Sequence, residues 1–360
     1  MKHAGALQVY AGPRALAQLR EQGLRPQDVR VIPGAAGGAK GLVLNPLDRF
    51  IFGRWLSGSS ETLHLLGASI GAWRLACACL PDADAALAQL AEDYIVQRYE
   101  HAPGKAPTPR AVSQAFGLKL QDRIGTRAAE VLAHPQRRLH VFTSRGRHVL
   151  RREGRWRTPL GYMGAFAANA VSRKALGGFL ERVVFGDARD ALPVPLDDFR
   201  TRQVALDTQN MVPAILASCS IPFWLDAVHD VPGGPKGAYW DGGITDYHLH
   251  LDYRRMERGL VLYPHFQRHV VPGWLDKAIK RRHAATPALD NLVLLSPSPA
   301  WVAGLPGGKL PDRNDFKRYG EDFDGRVAVW RRALAESQRL ADEFAEMVSA
   351  GRPVQALPLA

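Results

Sequence analysis

Ser69 and Asp241 are the residues best placed to do chemistry. Ser69 stands in LLGASIGAW (residues 65–73), between Gly67 and Gly71. A serine hydroxyl is a weak nucleophile until a base removes its proton. Taken alone, G-x-S-x-G says little. With 34 glycines in 360 residues, roughly one such chain in ten shows it by chance. Its setting says more. LHLLGASIGAWRLA reads as an apolar strand, a turn of small residues and a helix. A serine at that junction sits on a sharp turn, and the helix N-terminus supplies positive potential to developing negative charge.

Two further elements could serve that serine. Ala36-Gly37-Gly38-Ala39-Lys40-Gly41 follows an apolar strand. Glycines there let consecutive N–H groups face a small anion. Acyl transfer needs such donors where the oxyanion forms, each supplying about 3 kcal/mol of barrier reduction. The competing reading is a phosphate loop, but no Ser or Thr follows Lys40 and the P-loop spacing is absent. In YWDGGITDY, Gly242 and Gly243 let the chain turn sharply after Asp241. Alone this is a turn aspartate; beside a serine and a glycine loop it can be the base. A Ser–Asp–His chain order also leaves His248, His250, His265 and His269 open as bases.

Oxyanion glycines, a serine elbow and Asp-Gly-Gly, in that order, resemble the patatin-like phospholipases. Ala217-Ser218-Cys219-Ser220-Ile221-Pro222 is similar to the Ala-Ser-x-x-Ile-Pro stretch that the family places ahead of its aspartate. The resemblance spans about residues 29–246. It implies an α/β fold, a three-layer α/β/α sandwich with a mainly parallel central sheet, and hydrolysis of lipid acyl esters by a Ser–Asp dyad without cofactor or metal. Carried over, Ser69 is the nucleophile and Asp241 the base. The amides of Gly37, Gly38 and Ile70 form the oxyanion hole. Lys40 and Gly41 support the loop, Gly67 and Gly71 shape the elbow, and Gly242 and Gly243 form the turn after the base. The sequence departs from the family at Ala36, where a glycine is usual, and at Ile244-Thr245-Asp246-Tyr247-His248, where Asn and Pro are usual. Both departures bear on substrate preference.

Apolar spacing predicts the elements that position these residues. A helix over 13–22 leads to a strand at 29–33. An apolar segment at 42–56, interrupted by Pro46, precedes a strand at 63–66 and a helix at 70–80. Amphipathic helices follow at 83–99 and 111–133. Such alternation predicts a parallel sheet covered on both faces. Residues 140–142 and 148–150 read as a hairpin around Ser144-Arg145-Gly146-Arg147. A helix near 173–181, strands at 183–185 and 203–206, a short helix at 212–218 and strands at 260–263 and 292–295 come next. A long helix over about 326–348 carries Trp330, Leu334, Ala341, Phe344 and Val348 as a core-facing stripe. Composition is even across the Pro- and Gly-rich loops at 102–109 and 304–311. The expectation is one domain: a helical lead-in (1–28), the patatin-like catalytic region (29–260) with a basic insertion near 137–157, and an extension (261–360) packed on it.

Composition narrows the class. Hydrophobic residues make up 46% and charged residues 23%, as in a globular protein with a sizeable core. No apolar run approaches the ~20 residues of a membrane span, and the first residues lack the apolar core of a secretory leader. Cys77, Cys79 and Cys219 form no disulfide framework or zinc spacing, so a reducing cytoplasm is expected. The net charge is +12. Residues 137–157 hold eight arginines and one glutamate, and GWLDKAIKRRH (273–283) forms a second basic cluster. No nucleic-acid motif accompanies them, so a solvated face is one reading. The other is reversible contact with an anionic membrane surface, with residues 273–283 as a short interfacial helix. A basic membrane or nucleic-acid module on an inactive scaffold is the non-enzymatic alternative. Oligomeric state is not legible.

Overall fold

The computed structural model describes residues 5–99, 107–349 and 353–359. Short runs of Val, Leu and Ile become strands: β1 (Leu7–Ala11), β2 (Val29–Gly34), β3 (Leu63–Ala68), β4 (Arg137–Gly146), β5 (Leu180–Gly186), β6 (Thr201–Ala205), β7 (Val228–His229), β8 (Ala238–Asp241), β9 (Leu260–Pro264), β10 (Leu292–Pro297) and β11 (Leu357–Pro358). They form one sheet in the order β11-β1-β10-β9-β2-β3-β4-β5-β6, with β8 paired to β4 and β7 to β8. From β10 through β9, β2 and β3 to β4, neighbours run parallel. β1 is antiparallel to β10, and β5 to β4.

The central strands are apolar almost throughout because both faces are covered. Alternate side chains enter separate cores. Ile32, Leu65, Val141 and Leu262 join the core that holds the helix Ile70–Ala78. Val31, Leu66, Phe142 and Val261 join the other, with Val43, Tyr253 and Leu340. This is the three-layer α/β/α arrangement, mainly parallel at its centre.

Several local expectations are corrected. The hairpin expected over 140–150 does not form. Arg137–Gly146 is one long strand inside the sheet, paired with β3, β5 and β8, and His148–Arg151 is a 3-10 turn. Its first arginines are structural rather than solvated. Arg137 donates to the carbonyls of Phe52 and Ala78, and Arg145 pairs with buried Glu181. The helix expected over 111–133 breaks at Gly125 into Pro109–Arg123 and Ala128–Ala133. That over 326–348 breaks at buried Ser337, whose hydroxyl bonds back to the Leu334 carbonyl. Only Arg173–Leu176 is helical in 173–181. Residues 273–283 form two short 3-10 turns, not an interfacial helix. Buried Asp276 gathers Arg173, Arg282 and Asn169 and holds that backbone inward. The elements without a sequence expectation include β1, the helix Arg157–Val171 and the short helices Pro299–Gly304 and Asn314–Tyr319. The sheet runs across both expected boundaries, since β1 and β10 pair. Most of the loop at 102–109 lies outside the described residues.

A buried ion pair lies between the helices that follow the glycine loop and the elbow. Arg74 Nε is 2.7 Å from Asp48 Oδ2, and both side chains are buried. Burial pushes Asp48 up to about 6 despite Arg74. Removing one partner leaves the other charge uncompensated, which costs about 3–5 kcal/mol, whereas apolar replacement of both is tolerated far better. Arg74→Met is therefore expected to lose about that much at pH 8 in urea unfolding. The loss shrinks at pH 5, where Asp48 is protonated in the folded variant. Asp48→Leu/Arg74→Met recovers most of it. A double variant no more stable than Arg74→Met would refute this account.

Candidate active site

β3 ends at Ala68 and the helix begins at Ile70, so Ser69 alone must turn the chain. It does so at φ 56° and ψ −132°, a conformation that costs a non-glycine residue about 1–3 kcal/mol. Its neighbours make the turn possible by lacking side chains. A Cβ on Gly67 would lie 2.3 Å from Ala72 Cα, and one on Gly71 would lie 1.9 Å from the Gly34 carbonyl oxygen. The Ser69 amide donates to Ser218 Oγ at 2.8 Å, and the Ser218 hydroxyl donates to the Phe142 carbonyl at 2.6 Å. Ser218 therefore fixes the elbow against β4. In the sequence Ser218 stands out only as part of the Ala217–Pro222 resemblance, which implies no role for its hydroxyl.

Asp241 closes β8, opposite Thr143 of β4. The Ser69 hydroxyl donates to Asp241 Oδ2 at 2.6 Å, and the Gly243 amide donates to Oδ1 at 2.7 Å. The amides of Asp241 and Gly242 donate to the carbonyls of Ser220 and Ser218. A Cβ on Gly242 would meet the Phe142 carbonyl oxygen at 2.0 Å, so glycine is required there. Ser69 and Asp241 are both about 95% buried. Burial pushes the Asp241 carboxyl up to about 6, while its hydrogen bonds and the positive Arg313 and Lys277 pull it back. An aspartate so raised is a stronger base than one in water.

The parallel register of β2 and β3 sets Gly34 opposite Gly67 and brings the glycine loop to the elbow. Gly37, Gly38, Lys40, Ser69, Asp241 and Gly243 line one cleft of about 190 Å³. Gly38 opens a 3-10 turn at φ 57°, and Ile70 opens the helix. The first N–H groups of such segments have no acceptor within them. Gly41 faces Ile70, with room for a Cβ only in contact with Cγ2 at 3.7 Å. Lys40 Nζ lies 5.4 Å from the centre of the Phe266 ring, and burial lowers its pKa. Among the described residues, no group of three His, Cys, Asp or Glu side chains is placed to hold a metal ion.

None of the four candidate histidines hydrogen-bonds to Ser69 or Asp241. His248 bonds to the backbone of His269 and Val271, His265 to Gln267, His269 to Arg268 and His250 to Thr286. Cys219 lies beside Ser69, but burial and the Asp241 charge push its thiol up, which disfavours a competing thiolate. The departure after Asp-Gly-Gly has a structural purpose at Asp246, which binds fully buried Arg182 of β5 at 2.8 Å. Tyr247 lines the cleft, as do Trp274, Lys277 and Arg313. Tyr247 belongs to the segment that departs from the family and Trp274 and Lys277 to the basic cluster, whereas Arg313 lies in a distant segment without a sequence signal. A larger cleft of about 430 Å³, lined by Leu56, Asp82, His134 and Arg137, excludes Ser69 and Asp241.

A family model described as Patatin-like phospholipase matches residues 59–248, which include Ser69 and Asp241 and begin after the glycine loop. No curated protein matches. Among solved structures, the chain is similar to VipD from Legionella pneumophila at 13% identity and a TM-score of 0.38, over 94% of this chain and 70% of VipD.

The raised Asp241 makes a stability prediction independent of catalysis. Its folded-state pKa of about 6 lies above the unfolded value near 3.9. Its ionisation therefore costs the fold nothing below about pH 4, and the cost grows as pH rises through about 6. Asp241→Asn keeps an acceptor for the Gly243 amide and lacks the charge. It is expected to melt close to the wild type at pH 4 and above it at pH 8. A pH-independent difference in Tm would overturn this.

Proposed function

Because the chain belongs to the patatin-like phospholipase family, a family of lipid acyl hydrolases, we propose that it cleaves lipid acyl esters with Ser69 as nucleophile and Asp241 as base. The observation that carries this reading is the 2.6 Å hydrogen bond from the Ser69 hydroxyl to a buried aspartate. Asp241 accepts the Ser69 proton as Oγ attacks the ester carbonyl. The amides of Gly37, Gly38 and Ile70 hold the oxyanion. The leaving alcohol takes the proton, giving an acyl-serine. Water, deprotonated by Asp241, attacks that ester; the fatty acid leaves and Ser69 regains its proton.

The substrate sits in an interface, and the exposed surface supports membrane contact at a different place from residues 273–283. The helix Arg157–Val171 buries Gly161, Tyr162, Ala165 and Asn169. Its outer face exposes Leu160, Met163 and Val171, with Trp156 just before it. Arg151, Arg152, Arg155 and Arg157 are exposed beside that stripe. Tyr162, on the inner face, packs edge-on against Trp240 and Phe223. Phe223 and Trp224 are also exposed, immediately after the cleft-lining Ile221 and Pro222. Apolar side chains flanked by arginines suit an anionic bilayer surface, and this one borders the cleft. Among the described residues no helix is long and apolar enough to cross a membrane.

Turnover of a p-nitrophenyl acyl ester is expected to fall on the order of 10⁴-fold or more in Ser69→Ala, and at least 10³-fold in Asp241→Asn. Alanine at His248, His250, His265 or His269 keeps activity per folded molecule within about tenfold. A histidine variant as inactive as Asp241→Asn would sink the dyad. Since the base acts ionised, kcat/KM rises with pH through about 6. Sedimentation with vesicles is expected to increase with anionic lipid, to decrease with salt, and to drop in Leu160→Ser/Met163→Ser. Indifference to that double substitution would remove the helix from the membrane face.

A further inference from the structure

Three cations line the cleft that holds Ser69 and Asp241: Lys40, Lys277 and Arg313. The two carboxylates of the cleft, Asp241 and Asp312, offset part of that charge, but neither forms a hydrogen bond or ion pair with these three cations among the described residues. Asp241 accepts from Ser69 and Gly243. Asp312 pairs with Lys309 at 3.0 Å and accepts from the Asn314 amide at 2.7 Å. Arg313 Nη1 is buried without a hydrogen-bond partner among the described residues. Lys277 is exposed as a residue, yet its ammonium lies 4.1 Å from the centre of the Tyr247 ring. Desolvation of the ammonium, with the charges of Lys40 and Arg313, pushes it down to about 7 against the opposing pull of Asp241. Lys40 lies 5.4 Å from the centre of the Phe266 ring and forms no ion pair among the described residues, although the Asp312 charge acts on it at longer range.

These groups come from three distant segments, two of them braced from behind. Lys40 belongs to the glycine loop. Lys277 follows Asp276, which Arg173, Arg282 and Asn169 hold in place. Arg313 precedes Asp315, which binds Lys309 at 2.7 Å and Trp330 Nε1 at 3.0 Å. Gathering like charges around about 190 Å³ costs free energy unless an anion neutralises them. A phosphomonoester carries close to two negative charges and three acceptor oxygens. A choline headgroup adds a positive charge that this surplus repels.

Resting on the acyl-hydrolase reading of this cleft, we propose that Lys277 and Arg313, with Lys40, form a phosphate subsite that selects acyl glycerol esters bearing a phosphomonoester headgroup over phosphocholine and neutral glycerides. The hydrolysis is unchanged: the acyl C–O bond breaks, water supplies the new hydroxyl, and the phosphate stays on the glycerol product.

The test uses the full chain and three esters with one acyl chain: 1-acyl-glycerol 3-phosphate, 1-acyl-glycero-3-phosphocholine and 1-monoacylglycerol. The wild type is expected to favour the first in kcat/KM by about tenfold or more. Lys277→Gln and Arg313→Gln each cut that ratio about tenfold, while Lys277→Arg and Arg313→Lys keep most of it. Titration of 1-acyl-glycerol 3-phosphate into Ser69→Ala reads the subsite without chemistry, and adding Lys277→Gln or Arg313→Gln is expected to weaken binding about tenfold. Equal kcat/KM for the three esters, with activity lost in Ser69→Ala, overturns the subsite and leaves the hydrolase reading standing. Unchanged activity in Ser69→Ala would fail the hydrolase reading, and the titration still decides the subsite. Inhibition of p-nitrophenyl ester turnover by inorganic phosphate, with no preference for the phosphomonoester lipid, marks a site for free phosphate and overturns the headgroup proposal.

Discussion

The site depends on one close approach. Where β2 passes the elbow helix, Gly71 lies so near the Gly34 carbonyl that a methyl group would sit 1.9 Å from its oxygen. Contact at that range draws the segment after β2 alongside the segment after β3. The glycine loop therefore meets the serine without an intervening side chain. A side chain at Gly71 would force the end of β2 and the elbow apart and so separate the loop amides from Ser69. The glycines of the elbow set interatomic spacing first and flexibility second.

Polar groups behind the cleft convert that approach into a fixed geometry. Ser218 links the Ser69 amide to the Phe142 carbonyl, so β4 governs the angle of the elbow. Arg182 binds Asp246 five residues after Asp241, so β5 governs the turn after the aspartate. Asp48 and Arg74 bridge the helices behind the loop and the elbow. Each tie is buried, and each would be costly with one partner missing. This rigidity lets Ser69 keep a strained backbone and Asp241 an environment that opposes its ionisation.

Much of this was legible in the sequence where the determinants are local. A strand, a small-residue turn and a helix around Ser69 follow from Leu63–Ala68 and its glycines. The Ser69–Asp241 contact needed the order of three motifs, because nothing in local spacing joins residues so far apart. The arginine-rich stretch divides: Arg151, Arg152, Arg155 and Arg157 are exposed, as composition suggests, whereas Arg137 and Arg145 satisfy carbonyls and a carboxylate inside the structure. Strand β1 was hidden because Leu7–Ala11 is short and its partner lies near residue 295. The outer stripe of the helix Arg157–Val171 was obscured by Gly161 and Gly164, which weaken a helical pattern. Lys277 and Arg313 carry no motif; only the closed fold brings them to Ser69.

The pairing of β1 with β10 also has a consequence in time. The first strand finds its neighbour almost three hundred residues later, and the amides of Ala6 and Leu7 donate to the carboxylate of Glu343. β2, beside the elbow, likewise takes β9 as its second neighbour. Contacts of such sequence separation form late and slowly. During synthesis the serine elbow emerges long before Asp241, and Asp241 before the cation-bearing wall. A nascent chain thus carries Ser69 before Asp241 or the walls of the cleft exist. The cleft around Ser69 is complete only when strands distant in sequence have paired, so the whole chain must fold before the site exists.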